Sequence, residues 1–512
     1  MRTAALILAL SSATPLAAQG FQIEEASIAD IHAAMRKGTL TCARLVSAYL
    51  TRIDTWNSTG RYINALVTIN PDALRVADSL DARFKRGGFV GPLHCIPMII
   101  KDNFETRDLP TTAGSLSLKG FVSTKDATQV RRLRDAGAIV LAKSNMAEFA
   151  FSPYETVSSI LPGYTRNPYD LARVTAGSSG GTAAAVASNL GESGLGTDTG
   201  NSIRGPSSHQ ALVGIRSTMG LTSRAGVVPL SYWADIAGPM ARSVADAVAI
   251  FQVIAGYDAD DPVTEPARQH PIPDYAKSLV KDGLRGARIG ILRQAYERPT
   301  ADSEVLAVFA RAVADLRKSG ATVVDSVPMT DLDSLFAIVK DPCNRFKYDL
   351  EKWIASTGNR TPVKSLDEIV KSRKFHPSIQ VRLEYAQKAT VPPDSQPGCA
   401  QLDQLRQNFR TAFGAAMDRL QLDAVVYPTW SNPPRLIGDL NTPAGDNSQV
   451  FSPMTGWPAI QVPMGYTRGN ALPAGMTILG RAWSEATLFR FAYAYEQATH
   501  HRRPPPPFLM MR

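Results

Sequence analysis

Hydrophobic positions recur along the chain with two different periods. Apolar residues at helical spacing predict helices at 27–35, 42–50, 126–136, 243–256, 303–318 and 485–498. Short runs of apolar or small residues predict strands at 97–101, 138–142, 193–198, 287–292, 321–325 and 423–430. Because helices and strands alternate along the chain, the pattern predicts an α/β fold.

The segment between about residue 262 and residue 420 has a different character. It lacks glycine-rich motifs, and residues 330–415 are helical, charged and punctuated by proline. We expect a cap here that shapes a substrate pocket. The chain has 512 residues, of which 44% are hydrophobic, so it can bury an extensive core. Residues 19–512 are interpreted as a single domain that includes the cap.

The net charge of +9 is modest for a chain of this length. Since no long basic run accompanies it, we interpret the charge as a solvated surface, and binding to nucleic acid or to an anionic surface is the lesser alternative. No stretch is long and apolar enough to be a stable membrane span, which needs about 20 residues. The oligomeric state is left open.

The first 18 residues have the pattern of a secretory signal peptide. A basic start is followed by a short apolar run and by small residues before Gln19. We therefore expect an exported protein, periplasmic or secreted, with cleavage near Ala18. The alternative is an N-terminal helix that is retained.

The four cysteines do not form a metal-binding pattern. There is no CxxC pair, and no histidine stands at zinc-like spacing, so neither a metal nor another cofactor is expected. Export would permit a disulfide. Cys343 and Cys399 are the favoured partners, because Cys95 belongs to an apolar strand segment.

Two serine-bearing, glycine-rich turns are the chemically distinctive part of the chain. The first turn, at 176–181, leads into an alanine-rich helix, so its backbone N–H groups should converge at a helix N-terminus, where anions bind. The second turn, at 199–202, follows a strand of small residues and precedes a segment with Pro206 near its start. Ser202 is therefore predicted between a strand and a helix, beside free amide groups.

These turns resemble those of the amidase signature family. The family pattern GGSSGG is matched by AGSSGG at 176–181, and the following serine turn is matched by DTGNSIR at 198–204. A third motif, HCIPMIIKDN at 94–103, is similar to the family's lysine strand, and 456–463 and 472–476 are also family-like. The resemblance implies a large mixed, twisted sheet covered by helices on both faces.

The resemblance also implies a mechanism for hydrolysing a small-molecule amide. Ser202 would be the nucleophile, Ser178 the bridging serine with a cis peptide bond, and Lys101 the base. A lysine at the end of an apolar strand is desolvated, which lowers its pKa. The oxyanion hole would be formed by the backbone N–H groups of Thr199, Gly200, Asn201 and Ser202.

Neighbouring residues have supporting interpretations. A buried pair between Asp198 and Arg204 would brace the turn, and His209 is interpreted as a packing residue. Asn145, Glu148 and Phe149 form a family-like segment, whose polar side chains either face the substrate or only shape a loop. Ala176 and Asn201 stand where the family has glycine, and Asn201 is acceptable because asparagine tolerates positive φ.

Several alternatives remain open from the sequence. Residues 177–181 also satisfy G-x-S-x-G, which would make Ser179 the nucleophile of an α/β-hydrolase, although 165–175 lacks the character of a buried strand. Lys101 could instead form a structural ion pair with Asp102 or with another acid. Other functional classes are the glutaminase component of a tRNA-dependent amidotransferase, which supplies ammonia to a partner, and an inactive binding protein.

Overall fold

The computed structural model describes residues 21–58, 63–151, 154–329 and 332–506. The predicted signal peptide at 1–18 lies outside the described residues. The strands are β1 (Leu66–Ile69), β2 (Pro97–Lys101), β3 (Ile139–Ser144), β4 (Arg166–Asn167), β5 (Asp170–Val174), β6 (Ser193–Asp198), β7 (Val213–Arg216), β8 (Ile236–Ala241), β9 (Arg288–Ile291), β10 (Thr322–Asp325), β11 (Ala424–Pro428), β12 (Ala459–Thr467) and β13 (Leu472–Leu479).

The helices account for most of the remaining regular structure. They are α1 (Ile28–Arg36), α2 (Cys42–Ile53), α3 (Ala73–Gly87), α4 (Thr128–Asp135), α5 (Gly180–Ala187), α6 (Arg204–His209), α7 (Val244–Ile254), α8 (Ser303–Lys318), α9 (Leu332–Phe336), α10 (Phe346–Ser356), α11 (Leu366–Ser372), α12 (Gln380–Gln387), α13 (Pro397–Arg419), α14 (Phe451–Thr455) and α15 (Glu485–Thr499). None of the helices within the described ranges combines the length and apolar character needed to cross a bilayer.

Eleven of the described strands form one mixed sheet. Their order is β1-β3-β2-β6-β8-β7-β12-β13-β11-β9-β10, and β4 and β5 form a separate two-stranded ribbon. Strand β2 is parallel to β3 and β6, and β9 is parallel to β10 and β11, whereas the remaining neighbours are antiparallel. The predicted α/β class and mixed sheet are confirmed.

Helices cover both faces of this sheet, as strand β7 shows. A side chain at Gly214 would collide with Ile203 and with Ser207 of α6. Its neighbours Val213 and Ile215 instead join the cluster that contains Phe251 of α7, together with residues of α8 and α15. Because successive residues of a strand point to opposite faces, α6 lies on one face and α7 on the other.

The small residues of β6 allow a helix to approach closely. Added side chains at Gly194 and Gly196 would collide with Thr182 and Ser179, which belong to α5 and its N-terminal cap. All eight residues of α5 are buried. The predicted strand of small residues at 193–198 is therefore confirmed, and the close approach fixes the helix whose N-terminus carries Ser178 and Ser179.

The predicted cap range contains two kinds of structure. Strands β9 and β10 lie within 262–420, yet they form one edge of the main sheet. Helices α9 to α13 follow between 332 and 419. Their aromatic residues pack on the core near the lysine strand, since Trp353 donates from Nε1 to Glu105 at 2.9 Å. The division of the chain into a core and a cap stays a prediction.

Two disulfides link the described cysteines. The predicted Cys343–Cys399 bridge is confirmed, with Cα atoms 4.5 Å apart. A second bridge joins Cys42 to Cys95, with Cα atoms 5.5 Å apart. This second bridge was not predicted from the sequence. Cys95 precedes β2 in a turn with a φ of 65° and lies next to the start of α2.

We predict that both bridges are present in protein isolated from an oxidising compartment. They close segments with sequence separations of 53 and 56 residues, so each should contribute about 4 kcal/mol to the free energy of unfolding by restricting the unfolded chain. Peptide mapping under non-reducing conditions identifies the pairs, and urea titration of each Cys→Ser double variant measures the loss. Free thiols at all four positions would contradict the prediction.

Candidate active site

Three predicted site residues come together at one edge of the sheet. Lys101 is the last residue of β2, Ser178 precedes α5, and Ser202 follows β6. Strands β2 and β6 are parallel neighbours, with Ile100 opposite Leu195, so their carboxyl ends lie at the same edge. Lys101 and Ser178 are fully buried, whereas Ser202 retains 5% of its surface exposed. Ser202 is thus the least buried of the three residues.

The amine of Lys101 is held by hydroxyl and carbonyl groups. Its Nζ lies 2.8 Å from Ser178 Oγ, 2.7 Å from Thr197 Oγ1 and 3.5 Å from the Thr197 carbonyl oxygen. Asn103 Nδ2 also donates to Thr197 Oγ1, at 3.1 Å. Thr197 and Asn103 were not predicted as site residues, although both lie in or beside the motifs that carry the family resemblance. The peptide bond between Gly177 and Ser178 is cis, as the resemblance implied.

No carboxylate neutralises Lys101 among the described residues, and the alternative of a Lys101–Asp102 ion pair is wrong. Asp102 Oδ1 lies 3.3 Å from Nζ of a second buried lysine, Lys143. In the parallel register Lys101 lies beside Ser144, and Ile100 lies beside Lys143. Because strand residues alternate between faces, Lys101 points with Ser144 toward α5, and Lys143 points to the other face.

Burial changes the ionisation of the Lys101 amine. Desolvation lowers its pKa to about 7, and the more distant carboxylates of Asp235 and Asp198 oppose the shift without cancelling it. A large fraction of Lys101 is therefore neutral at neutral pH. A neutral amine has a lone pair that can accept the proton of the Ser178 hydroxyl.

The turn before Ser202 leaves its backbone N–H groups unused. Among the described residues, none accepts a hydrogen bond from the N–H groups of Thr199, Gly200, Asn201 or Ser202. Thr199 and Gly200 are half-buried, and Asn201 and Ser202 are buried. Buried N–H groups are rarely left without an acceptor. Free donors on consecutive residues are the feature that the predicted oxyanion hole requires.

The same turn is held in place through its other polar groups. Thr199 Oγ1 donates to Asp235 Oδ1 at 2.5 Å, and the Gly200 carbonyl accepts from Arg204 Nη2 at 2.5 Å. The Ser202 carbonyl accepts from the Ser179 N–H at 3.3 Å. Asn201 donates through its side-chain amide to Asp446 Oδ2 at 2.7 Å. Every residue of the turn is thus fixed, and none of these contacts uses a backbone N–H of the turn.

Asp198 anchors the chain beneath the turn. The predicted pair is present, with Arg204 Nε 3.1 Å from Asp198 Oδ2 and both side chains fully buried. Arg216, which was not predicted as a partner, lies 3.1 Å from Asp198 Oδ1. Burial alone would raise the pKa of Asp198, but the two guanidinium groups outweigh burial and lower it to about 2. Asp198 is therefore ionised throughout the neutral range.

Comparison with known proteins accounts for this arrangement. The family model for amidases matches residues 44–489. The chain belongs to the amidase signature family. It is 36% identical to a glutamyl-tRNA(Gln) amidotransferase subunit from Moorella thermoacetica, over 86% of this chain and 91% of the relative. It is 33% identical to a probable amidase of Arabidopsis thaliana, over 97% of this chain and 94% of the relative.

A solved structure shows the same fold. The peptide amidase of Stenotrophomonas maltophilia superposes with a TM-score of 0.84 at 37% identity, covering 94% of this chain and 98% of that chain. The predicted amidase signature fold is confirmed. Together with the family match, this likeness identifies the chain as a hydrolase that acts on amide C–N bonds.

The two departures from the family pattern behave differently from expectation. The backbone φ is +58° at Ala176, which replaces the first glycine of the serine motif. Asn201 is not among the described residues with positive φ, so its tolerance of that conformation is not what preserves the turn. In this amidase the backbone conformation that favours glycine is therefore found at Ala176. Asn201 is held instead by the hydrogen bond from its side chain to Asp446.

The other candidates from the sequence have structural explanations. Ser179 Oγ donates to the Thr197 carbonyl at 3.2 Å and is fully buried, and the preceding β5 belongs to the small ribbon outside the sheet. His209 stacks on Trp430 with ring centroids 4.6 Å apart, and burial lowers its pKa to about 3. Both observations disfavour the α/β-hydrolase alternative.

The family-like segment after β3 shapes a loop. Asn145 binds the side chains of Thr165 and Ser158, at 2.9 and 2.8 Å. Glu148 accepts from the backbone N–H of His376, at 2.8 Å, and so ties the 376–379 turn to the core. The hydrogen bonds of Asn145 and Glu148 therefore favour the loop-shaping interpretation over direct contact with substrate.

We predict that Ala176→Gly changes stability little, whereas Ala185→Gly in α5 costs about 2 kcal/mol. Both changes remove a buried methyl group and add freedom to the unfolded chain. Only Ala176 has a positive φ, which costs an alanine about 1 kcal/mol and is relieved by glycine. Urea denaturation of the two variants measures the difference, and equal losses would contradict the assigned backbone strain.

Proposed function

We propose that this amidase hydrolyses its substrate through an acyl-enzyme on Ser202, with Ser178 and Lys101 relaying the proton. The observation that carries the proposal is the 2.8 Å contact between Ser178 and a buried lysine that has no acidic partner among the described residues. The position of Ser202 in a turn whose four N–H groups have no acceptor within the described ranges supports the same assignment. The alternative of an inactive binding protein is disfavoured because all three groups are present and close together.

The acylation step begins with a proton transfer. Neutral Lys101 accepts the proton of Ser178 as Ser178 accepts the proton of Ser202, and Ser202 Oγ attacks the amide carbonyl carbon. The negative charge that develops on the carbonyl oxygen is stabilised by the backbone N–H groups of Thr199, Gly200, Asn201 and Ser202. Each such donor contributes roughly 3 kcal/mol in comparable sites.

Collapse of the tetrahedral intermediate releases the amine. The proton held by Lys101 returns through Ser178 to the leaving nitrogen, the C–N bond breaks, and ammonia or an amine departs. Water then attacks the ester of Ser202, with the same pair of residues removing and returning its proton. The products are a carboxylic acid and the free enzyme.

We further propose that the substrates include peptide amides. Support comes from the likeness to the Stenotrophomonas maltophilia peptide amidase, which spans nearly the whole of both chains. The experiment compares peptide amides with aliphatic amides and aryl anilides, using purified chain and measuring ammonia or amine release. Turnover confined to anilides or to simple aliphatic amides would reject this substrate class and leave the amidase assignment intact.

A second candidate is the ammonia-supplying component of a tRNA-dependent amidotransferase. The 36% identity to the Moorella thermoacetica amidotransferase protein favours it. Efficient hydrolysis of amides by the isolated chain would argue against it. Co-purification with partner proteins, together with activity only in their presence, would support it.

We also propose export to the periplasm or the exterior. The N-terminal pattern at 1–18 is that of a secretory signal. The pairing of all four cysteines in two disulfides suits an oxidising compartment. Export would also separate the chain from the transfer RNA and ATP on which an amidotransferase depends.

We predict that Ser202→Ala abolishes labelling by a serine-directed fluorophosphonate and reduces amide turnover to background. Ser178→Ala should lower kcat by at least about 100-fold, because the proton relay is broken. Ser179→Ala is the matched control, since its hydroxyl bonds to the backbone of Thr197 and not to Lys101, and it should retain more activity. Labelled Ser202→Ala protein, or the reverse ranking of Ser178 and Ser179, would overturn the assignment.

We predict that kcat/KM rises with pH through about 7 and stays high in the alkaline range. The base is active when Lys101 is neutral, and burial lowers its pKa to about 7, so protonation below that pH removes activity. Lys101→Arg should lose at least about 1,000-fold in kcat, because a guanidinium cannot become neutral at working pH. Initial rates across the acidic, neutral and alkaline ranges provide the test.

Lys143→Arg is the matched control for this experiment. Lys143 is as deeply buried as Lys101, but it pairs with Asp102 and donates to the carbonyls of Phe104 and Pro110. The larger side chain is expected to cost about 1–3 kcal/mol of stability by overpacking. The folded variant should nevertheless keep the wild-type pH profile. Near-normal turnover in Lys101→Arg would show that Lys101 is not the base.

A further inference from the structure

We propose that Asp446 is a positioning residue that orients the oxyanion turn through the side chain of Asn201. The inference rests on the proposed function, because it assigns catalytic value to the N–H groups of that turn. It concerns the one turn residue at which this chain departs from the family's glycine. A glycine has no side chain with which to make such a contact.

The contact between Asn201 and Asp446 is direct and partly buried. Asn201 is fully buried, and its Nδ2 donates to Asp446 Oδ2 at 2.7 Å. The same carboxylate oxygen accepts from Gln449 Nε2 at 2.7 Å. The side chain of Gln449 in turn lies against Gly200, where an added Cβ would collide with it. Two adjacent residues of the turn are thus touched by the Asp446–Gln449 pair.

Asp446 is itself fixed before any substrate arrives. Its Oδ1 accepts from the Ser448 N–H at 2.9 Å, which orients the carboxylate. The surrounding loop is tied to the segment after β11, since Asn447 Nδ2 donates to the Pro428 carbonyl and the Ser431 N–H donates to the Gly445 carbonyl, both at 2.7 Å. The contact therefore connects the turn to the end of a buried strand.

The other contacts that fix the turn restrain Thr199 and Gly200 more than they restrain Asn201. Asp235 holds Thr199, and Arg204 holds the Gly200 carbonyl. The Asn201 carbonyl accepts from the Gly205 N–H at 2.7 Å, which fixes one side of its peptide plane only. The side-chain contact to Asp446 adds a second restraint on the Asn201 backbone. Oxyanion donors stabilise a transition state only when they are aligned in advance, so this restraint should act on kcat.

The test is a double-mutant cycle with Asp446→Ala and Asn201→Gly, measured on a peptide amide. Asp446→Ala alone should lower kcat about tenfold with KM within about twofold, because ground-state binding is not what the contact controls. Asn201→Gly alone should give a similar loss. In the Asn201→Gly background, Asp446→Ala should change kcat less than about twofold, since the contact is already gone.

Two further variants separate the contact from charge and from loop damage. Asp446→Asn keeps an acceptor oxygen for Asn201 and should retain most of the activity. Asp439→Ala is the matched control, because this partly exposed carboxylate lies on the same loop and accepts from the N–H groups of Asn441 and Thr442, at 3.0 Å each. It should leave kcat unchanged. Fluorophosphonate labelling of each variant confirms that Ser202 remains accessible.

Three outcomes would overturn the proposal. One is an equal loss from Asp446→Ala in the wild-type and Asn201→Gly backgrounds. Another is a loss in Asp446→Asn as severe as in Asp446→Ala with KM raised for cationic substrates, which would place Asp446 in direct contact with substrate. The third is wild-type kcat in Asn201→Gly, which decides the matter even where Asp446→Ala fails to fold. Labelling that persists in Ser202→Ala would instead refute the proposed function.

Discussion

A primary amine that is buried without a carboxylate partner in the described part of the chain is the constraint on which this active site depends. Burial lowers the pKa of Lys101 from 10.5 to about 7, so the charged form is disfavoured by about 5 kcal/mol. The fold tolerates that cost because hydroxyl and carbonyl oxygens satisfy the amine in either protonation state. An adjacent carboxylate would have stabilised the charged form of Lys101, and the protonated amine could not have accepted a proton. The position of Asp102 beside Lys143 therefore matters as much as the position of Lys101.

Close packing around the site positions the groups that surround Lys101 and Ser202. Glycines in β6 let the N-terminus of α5 approach the sheet, which places Ser178 within hydrogen-bonding distance of the end of β2. Beneath Ser202, contacts to Asp235, Arg204, Ser179 and Asp446 fix the turn without consuming its N–H groups. These donors have no acceptor among the described residues, as the proposed role in binding the developing oxyanion requires.

The sequence predicted the local elements around the site well, since the patterns that form them are local. The strand ending at Lys101 and the helix at 303–318 have the predicted limits. Strands β7, β12 and β13 were not assigned, because they are buried on both faces in the middle of the sheet and have no alternating pattern. Two pairings between distant residues were also missed, although the Cys343–Cys399 bridge was predicted. Cys42 with Cys95 and Arg216 with Asp198 depend on strand order, which no single-chain periodicity reveals.

The two buried lysines show how much chemistry the strand register decides. Lys101 and Asp102 are adjacent and oppositely charged, so the sequence alone would suggest an ion pair between them. The parallel register of β2 with β3 places Ser144 beside Lys101 and Lys143 beside Ile100. Asp102, which follows β2, lies 3.3 Å from Lys143. On the Lys101 side, the carboxylate of Asp198 is already engaged by two arginines, which are permanently charged at neutral pH. Because that carboxylate is compensated, it raises the pKa of Lys101 too little to offset burial, and the amine remains available as a base.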